Sequence, residues 1–572
     1  MRGSGQSVER CVRVRRRNRR CSIYLVAALL ISLSACALFA ENQGRSTQIL
    51  TYETKQLPQT ATGAIRFMFD DFGGLSTETL LTNAVPWKVT VAALLLDSAA
   101  SNGTTLQLAN VNLLFARFGF IVPTAVENAP PTAQEQRFDG PIGLLRGYVE
   151  RRLPAFRLEV ANLGCAACHS GRTYDATGLP RSTVWLGSPN TSLDLEAYSQ
   201  AVYGALKQAM RDPSHLLATV ERLYPEIDQR ELNTIRDYVL PAIAEELKRR
   251  AAGVDAPTPY SNGGSGMPNG VAALKRQLGL LDLRHVAREV GFNSIPDLGS
   301  RVFRSSLLYD GLYAPPSDPP LIALSASDIP AGHALKLAHI VAFLTVPALG
   351  VSPDTAEEVL PRIEPVMNFL ESYRPPPFPG ALNRGLAEAG QRSYAARCSG
   401  CHGRYQKGAS GDEELVEFPN RFVPQDEMQT DPARWQTIDA KLLKAISASA
   451  MGKYIVPHRA SGYVAPVLSG LWATAPYLHN GSVPTLWHLM HPDQRPKQFL
   501  VGGHRLDFIR VGIDGAIDDR GVMVYPASYV PWCTPSLYDT SLPGLSNSGH
   551  EREFRSMTEA EKEALLEYLK LL

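Results

Sequence analysis

Cys398-Ser399-Gly400-Cys401-His402 decides the reading of this chain. The pattern is C-x-x-C-H, the attachment signal of a c-type haem. Each sulfur adds to one vinyl group of the porphyrin, and two intervening residues let one turn of chain present both. The histidine that follows is then placed under the ring, where its imidazole binds the iron. The same pattern stands earlier, as Cys165-Ala166-Ala167-Cys168-His169. Zinc knuckles or a dithiol redox pair would also use paired cysteines, but neither explains a histidine immediately after each pair. Two covalent haems are therefore expected, one on Cys165 and Cys168 and one on Cys398 and Cys401. His169 and His402 are the expected proximal iron ligands.

The 572 residues leave room for two or three domains with a sizeable core. The formal charge of +1 includes a strongly basic start. Residues 1–40 hold eight arginines and one acid, Glu9; without them 49 basic and 55 acidic residues remain, a balance near −6. Nothing in that balance suggests a nucleic-acid partner. Arg13 to Arg20 form a basic n-region, and Ser22 to Ala40 is an apolar run without charge, the pattern of a secretory signal. Leu33-Ser34-Ala35-Cys36 resembles the lipobox of bacterial lipoproteins, with Cys36 as the lipidated first residue. Ordinary cleavage after Ala40, or retention as an anchor, are the alternatives. No second apolar stretch is long enough to cross a membrane. Resemblance to c-type cytochromes implies haem attachment outside the cytoplasm, so periplasm or cell envelope is the expected location. Of the other cysteines, Cys11 and Cys21 lie in or next to the n-region and Cys533 stands alone, so no disulfide framework is implied.

The expected fold is mainly α: two cytochrome c-type haem domains with long loops and an N-terminal extension. Residues 41–145 form the extension, 146–371 the first haem domain, 372–380 a proline-rich linker and 381–572 the second cytochrome c domain. Residues 104–123 read as one mostly apolar element. Leu158 to Leu163, just before the first motif, alternates as a strand does. Trp185 to Asn190 reads as a turn, 194–211 and 229–251 as helices, and 261–266 as a loop. The linker, Arg374-Pro375-Pro376-Pro377-Phe378-Pro379, is stiff. In the helix that follows it, Gly390, Tyr394 and Cys398 share one face. Glycine there lets another helix cross closely. The last helix is the expected partner, with Thr558 and Glu561 as a capping box and Leu565, Leu566, Leu569 and Leu572 as its stripe. The first motif lacks such a Gly/Tyr helix, so its domain is expected to depart from the simple cytochrome fold.

Ala473-Thr474-Ala475-Pro476-Tyr477-Leu478-His479-Asn480-Gly481-Ser482-Val483-Pro484-Thr485-Leu486 resembles the T-A-P-Y-x-H-x-G-S-x-x-T-L signature of bacterial di-haem cytochrome c peroxidases and the related MauG group. Within that superfamily the chain is most similar to the rubber oxygenases (RoxA/RoxB). The proline-rich linker, Leu307-Leu308-Tyr309-Asp310-Gly311 and Leu545-Ser546-Asn547-Ser548-Gly549-His550-Glu551 carry that likeness. The resemblance implies a second haem with two histidine ligands, the distal one being His550. Met523 and His479 are the alternatives at that position. It implies a first haem with an open side for dioxygen or peroxide, although His215, His285, His333 and His339 are candidate sixth ligands. The distal pocket is sought at Asp297 to Phe303 with Tyr309, so Arg301, Phe303 and Tyr309 are its candidates. The family commonly has a tryptophan between the haems. None stands from 293 to 313, and Trp185 and Trp472 are candidate substitutes. Relatives also hold a calcium ion between the haems, but no spaced carboxylate cluster marks one here.

The expected function is that of a periplasmic di-haem c-type oxidoreductase, acting as a peroxidase or an oxygenase like RoxA. Its second, six-coordinate haem exchanges electrons with a first haem that reacts with peroxide or dioxygen. Expected partners are that small oxidant and a redox partner protein, with a membrane touched only through a lipid anchor at Cys36. The alternative is a non-catalytic electron-transfer cytochrome with both irons six-coordinate.

Overall fold

The computed structural model describes residues 57–572 except 132–137, 153–154, 252–261, 282–289, 317–320 and 409–410. The export segment with Cys11, Cys21 and Cys36, and His285, lie outside the described residues. About 42% of the chain is helical and 15% strand, so the mainly α expectation stands. The strands form small sheets of two to four members.

Helix α1 (Gln59–Phe69) opens the described chain, and α2 (Trp87–Asn102) follows. Residues 104–123 do not form the single element expected. Only a short turn at Leu108–Asn110 and a helix at Val111–Ala116 are regular. Gly119 ends the run at φ +79°, where a side chain would collide with the Ser192 carbonyl. Strands β1 (Leu144–Arg151) and β2 (Phe156–Leu163) pair antiparallel, and Val85–Pro86 extends their sheet on the far side of β2. The alternating run before the first motif is thus a strand, as expected. The motif turn Cys165–Cys168 leaves β2 through Gly164 and leads into β3 (Ser170–Tyr174), paired with β4 (Pro180–Leu186). No cytochrome-type helix precedes it.

Helix α3 (Leu195–Ala209) starts where the Asp194 carboxylate accepts the Ala197 N–H. Helix α4 (Pro213–Leu223) has Asp212 as its cap and proline in its first turn. Residues 229–251 are helical as expected, with a π-helical turn at Ile235–Val239. Three further helices bound the centre: α5 (Gly270–Gln277), α6 (His333–Ala348) and α7 (Leu360–Ser372). One core gathers α2, β1, β2, α3 and α4, and another gathers α1, α6 and α7. Gly63 on α1 lies so near the Pro365 carbonyl of α7 that a Cβ would stand 1.9 Å from it.

The third core is built by α8 (Arg384–Arg397) and α9 (Glu559–Leu569). These helices cross at Gly390, where a Cβ would stand 1.9 Å from the Ala564 carbonyl and 2.8 Å from Cβ of Tyr568. Tyr394 fills the crossing, its ring 5.4 Å from that of Tyr568 and its hydroxyl on the Gly403 carbonyl at 3.0 Å. The Thr558/Glu561 capping box is present. Among the described residues no helix is long and apolar enough to cross a membrane.

Gly390→Ala is expected to cost about 1–3 kcal/mol, because the obstructing atoms are backbone and cannot rotate away. Gly385→Ala in the same helix meets only the Asn383 side chain at 3.7 Å. It is expected to be neutral or to stabilise by up to about 1 kcal/mol. Paired urea denaturation curves check both.

Candidate functional site

Both C-x-x-C-H motifs open onto one cavity of about 630 Å³. Its lining includes Cys165, Cys168, His169, Cys398, Cys401 and His402. His479 and His550 also line it, and no other described histidine does. The rest is largely apolar, with Phe67, Val341, Leu344, Met367 and Leu370 on one side and Met557, Leu565 and Leu569 on another.

The two motifs fold alike. The N–H of His169 donates to the Cys165 carbonyl at 3.0 Å and that of His402 to the Cys398 carbonyl at 2.9 Å, which brings both cysteines and the histidine onto one turn. In the second motif Nδ1 of His402 bonds the Pro466 carbonyl at 2.9 Å, leaving Nε2 for the cavity. In the first the Pro296 carbonyl lies beside His169, outside hydrogen-bond geometry but close enough to oppose the fall in its pKa. The turn expected at 185–190 begins only at Gly187, because Trp185 and Leu186 end β4, and it holds the first motif from behind. Gly187 N–H donates to the His169 carbonyl and Asn190 N–H to that of Cys168.

Burial sets the protonation states. Desolvation pulls His169 down to about 4, with the Arg301 guanidinium adding to the effect. It pulls His550 down to about 3, helped by His402 and Arg495, and lowers His402 as well. These imidazoles are neutral at ordinary pH, the form that binds a metal. Burial pushes Cys165, Cys168 and Cys398 up to about 12, so the thiols are protonated and no disulfide joins them. A zinc knuckle needs thiolates and a third and fourth ligand. Among the described residues no three His, Cys, Asp or Glu side chains converge. Calcium finds no such cluster either.

The rings of His402 and His550 lie with centroids 6.2 Å apart and planes within 25°. Two imidazoles sharing one metal, with metal–nitrogen bonds of about 2 Å, have centroids roughly 6 Å apart. Nδ1 of His550 makes no hydrogen bond. His550 adopts φ +59°, a left-handed conformation outside glycine's usual role, just before the short helix Glu551–Arg555. The guanidinium of Arg495, 3% exposed, holds that loop in place. It donates to the carbonyls of Asn547 and Gly549 on one side and of His488 and Leu489 on the other. The sequence reading did not single out Arg495, because a lone arginine carries no pattern.

The other candidates separate clearly. Met523 is buried in a strand at Val522–Val524 and does not line the cavity. His479 lines it but packs its ring 4.3 Å from that of Tyr463. His215 is exposed on α4, His333 bonds the Arg304 carbonyl at 2.9 Å, and His339 packs on Tyr454; none of the three reaches the cavity. Arg301 and Tyr309 line the cavity, Arg301 within electrostatic reach of His169, while Phe303 packs into the third core. Trp185 and Trp472 do not line it. Their indole N–H groups bond the Arg374 and Pro376 carbonyls of the proline-rich linker, at 2.9 Å each.

A second relation was missed in the sequence. Residues 294–313 and 464–483, 170 residues apart, repeat one pattern of backbone conformation, although the Ala475–Pro476 peptide is cis and its Ser305–Ser306 counterpart is trans. Ser300 and Gly470 stand at φ +54° and +59°, Leu308 and Leu478 at +70° and +69°, Gly311 and Gly481 at +65° and +68°. Each copy holds a 3-10 turn, Arg301–Phe303 or Leu471–Ala473. Each closes on a bridge, Leu307 to Tyr313 or Tyr477 to Val483. Each places its proline, Pro296 or Pro466, beside the histidine of one motif. Only four of the twenty positions are identical, too few to mark the repeat in the sequence.

One comparison falls on the second copy. A family model described as RoxA-like, cytochrome c-like matches residues 462–500. That span holds Pro466 and His479, and cytochrome c-like character implies covalently bound haem c. An uncharacterized protein of Sinorhizobium fredii (strain NBRC 101917 / NGR234), y4iM, is 29% identical over 210 residues, covering 33% of this chain and 46% of that protein. Another from the same organism, y4iJ, is 28% identical over 273 residues, covering 36% and 42%. The chain thus matches less than half the length of each.

Arg495→Met strips the donors from four carbonyls in a buried setting. It is expected to cost about 2–4 kcal/mol in urea denaturation, with Arg495→Lys recovering only part.

Proposed function

We propose that this protein is an exported di-haem c-type oxidoreductase with one reactive and one electron-transferring site. The observation that carries the reading is the unequal supply of histidines around the cavity. His402 has His550 opposite it, whereas no described histidine stands in that relation to His169.

In this reading Cys165, Cys168 and His169 hold one haem, and Cys398, Cys401, His402 and His550 hold the other. Haem iron supplies a reversible one-electron change and, where a coordination position is open, a place for dioxygen or peroxide to bind. His402 and His550 would together hold the iron of the second haem, whose chemistry would then be electron exchange. Pro466 fixes which ring nitrogen His402 offers, and Arg495 fixes the loop that brings His550. At the first site His169 would hold the iron without a second described histidine, and the apolar side chains of α1, α6 and α7 that line the cavity would exclude water. The pairing of haems, the peroxide or dioxygen reaction, export to the periplasm and a redox partner protein all belong to this proposal. The match at 462–500 supports its cytochrome part.

Two measurements test it. Pyridine haemochrome analysis should give two haems per chain, and one in a Cys165→Ser/Cys168→Ser or a Cys398→Ser/Cys401→Ser variant. Carbon monoxide added to the reduced protein should bind one haem per chain, and two in His550→Ala. Binding of none by the wild type would identify an electron carrier and reject the enzyme reading.

A further inference from the structure

The two copies of the repeat clasp each other reciprocally. The N–H of Ser294 donates to the His479 carbonyl, and the N–H of Val464 donates to the Tyr309 carbonyl, both at 2.7 Å. Ser294 and Val464 occupy the same position of the repeat, and so do Tyr309 and His479. Contacts of this reciprocal kind define a local two-fold axis between the partners. Gly299 and Ser469, also equivalent, touch across it: a Cβ on Gly299 would stand 2.0 Å from the Ser469 hydroxyl. Because each copy sets its proline beside its own motif histidine, the axis exchanges the two C-x-x-C-H sites. Whatever lies on it is midway between them.

The side chains of Tyr309 and His479 lie there. Their ring centroids are 6.3 Å apart at 63°, and both line the cavity that reaches the two motifs. The Tyr309 hydroxyl and the Ser294 hydroxyl are 3.2 Å apart, and Ser294 also donates to the His479 carbonyl at 3.2 Å, which ties the two residues together. Burial keeps the His479 ring neutral. No tryptophan lines the cavity, and Trp185 and Trp472 serve the linker. The other hydrogen bonds between the copies include Ser469 to the Asp297 carboxylate at 2.8 Å, Arg304 to the Ala465 carbonyl at 3.0 Å and Ser294 to the Leu478 carbonyl at 3.2 Å, and none of them places an aromatic ring between the sites.

We propose that the Tyr309–His479 contact is the electronic bridge between the two sites. This rests on the two-haem reading above. One electron is given up at one site and taken up at the other. Neither ring is oxidised, and neither gains or loses a proton. Tyr309 and His479 are thus positioning residues for electron transfer, and the aromatic ring of Tyr309 matters rather than its hydroxyl.

The test uses the full-length two-haem protein. Haem content is counted first: fewer than two per chain refutes the two-haem reading and this inference with it, whereas two per chain sustains that reading whatever the rates show. A photoexcited flavin then delivers less than one electron per protein, and absorbance follows redistribution between the haems. Midpoint potentials are recorded for every variant. Tyr309→Leu and His479→Leu should each slow redistribution about tenfold or more at unchanged potentials. Tyr309→Phe and Ser469→Ala should stay within about twofold of wild type. A Tyr309→Leu protein with two haems, wild-type potentials and the wild-type rate would overturn the proposal. So would a tenfold loss in Tyr309→Phe or Ser469→Ala. Should Tyr309→Leu fail to accumulate, His479→Leu is judged by the same criterion.

Discussion

A buried imidazole has two nitrogens, and a hydrogen bond that holds one of them orients the other as a ligand. The Pro466 carbonyl does this for His402. Proline offers a carbonyl without a competing N–H, so its oxygen can be aimed into the site without disturbing a ladder. The same carbonyl recurs at Pro296 beside His169, in a backbone copied down to its three left-handed residues. The two copies are locked by a pair of reciprocal hydrogen bonds, so a shift of one loop moves the other. Geometry at one site is thereby tied to geometry at its counterpart.

An asymmetry in histidines is laid over this symmetric frame. The second half brings His550 opposite His402 on a loop clamped by a single buried arginine. In the first half no described histidine is paired with His169, and α6 and α7 contribute apolar residues to the cavity lining. At equivalent repeat positions the first copy carries Arg301, Arg304 and Tyr309 and the second Leu471, Thr474 and His479. Arg304 spans the halves, its guanidinium reaching the Ala465 carbonyl next to Pro466 at 3.0 Å. In the proposed function one frame thus carries one saturated and one open site.

How much of this was legible in the sequence follows from how local each signal is. The two motifs were readable because covalent attachment demands fixed spacing. The Gly390/Tyr394 crossing and the Thr558/Glu561 cap were readable because helical spacing is periodic. His550 was reached through resemblance, and its ring does lie beside that of His402. The repeat was hidden because backbone angles, not side chains, are what the copies share: Ser300 and Gly470 differ in type yet adopt one conformation. The tryptophans were misleading for a physical reason. A proline-rich segment has carbonyls that need donors from elsewhere, and Trp185 and Trp472 supply them. The apolar run at 104–123 misled because hydrophobicity alone does not reveal where a glycine must break a helix.

The central claim is that one iron is saturated by two histidines and the other is not. Low-temperature EPR of the fully oxidised protein addresses it most directly. Expected are one low-spin signal of the bis-imidazole type and one high-spin signal, in equal amounts. Two low-spin signals and no high-spin component would contradict it.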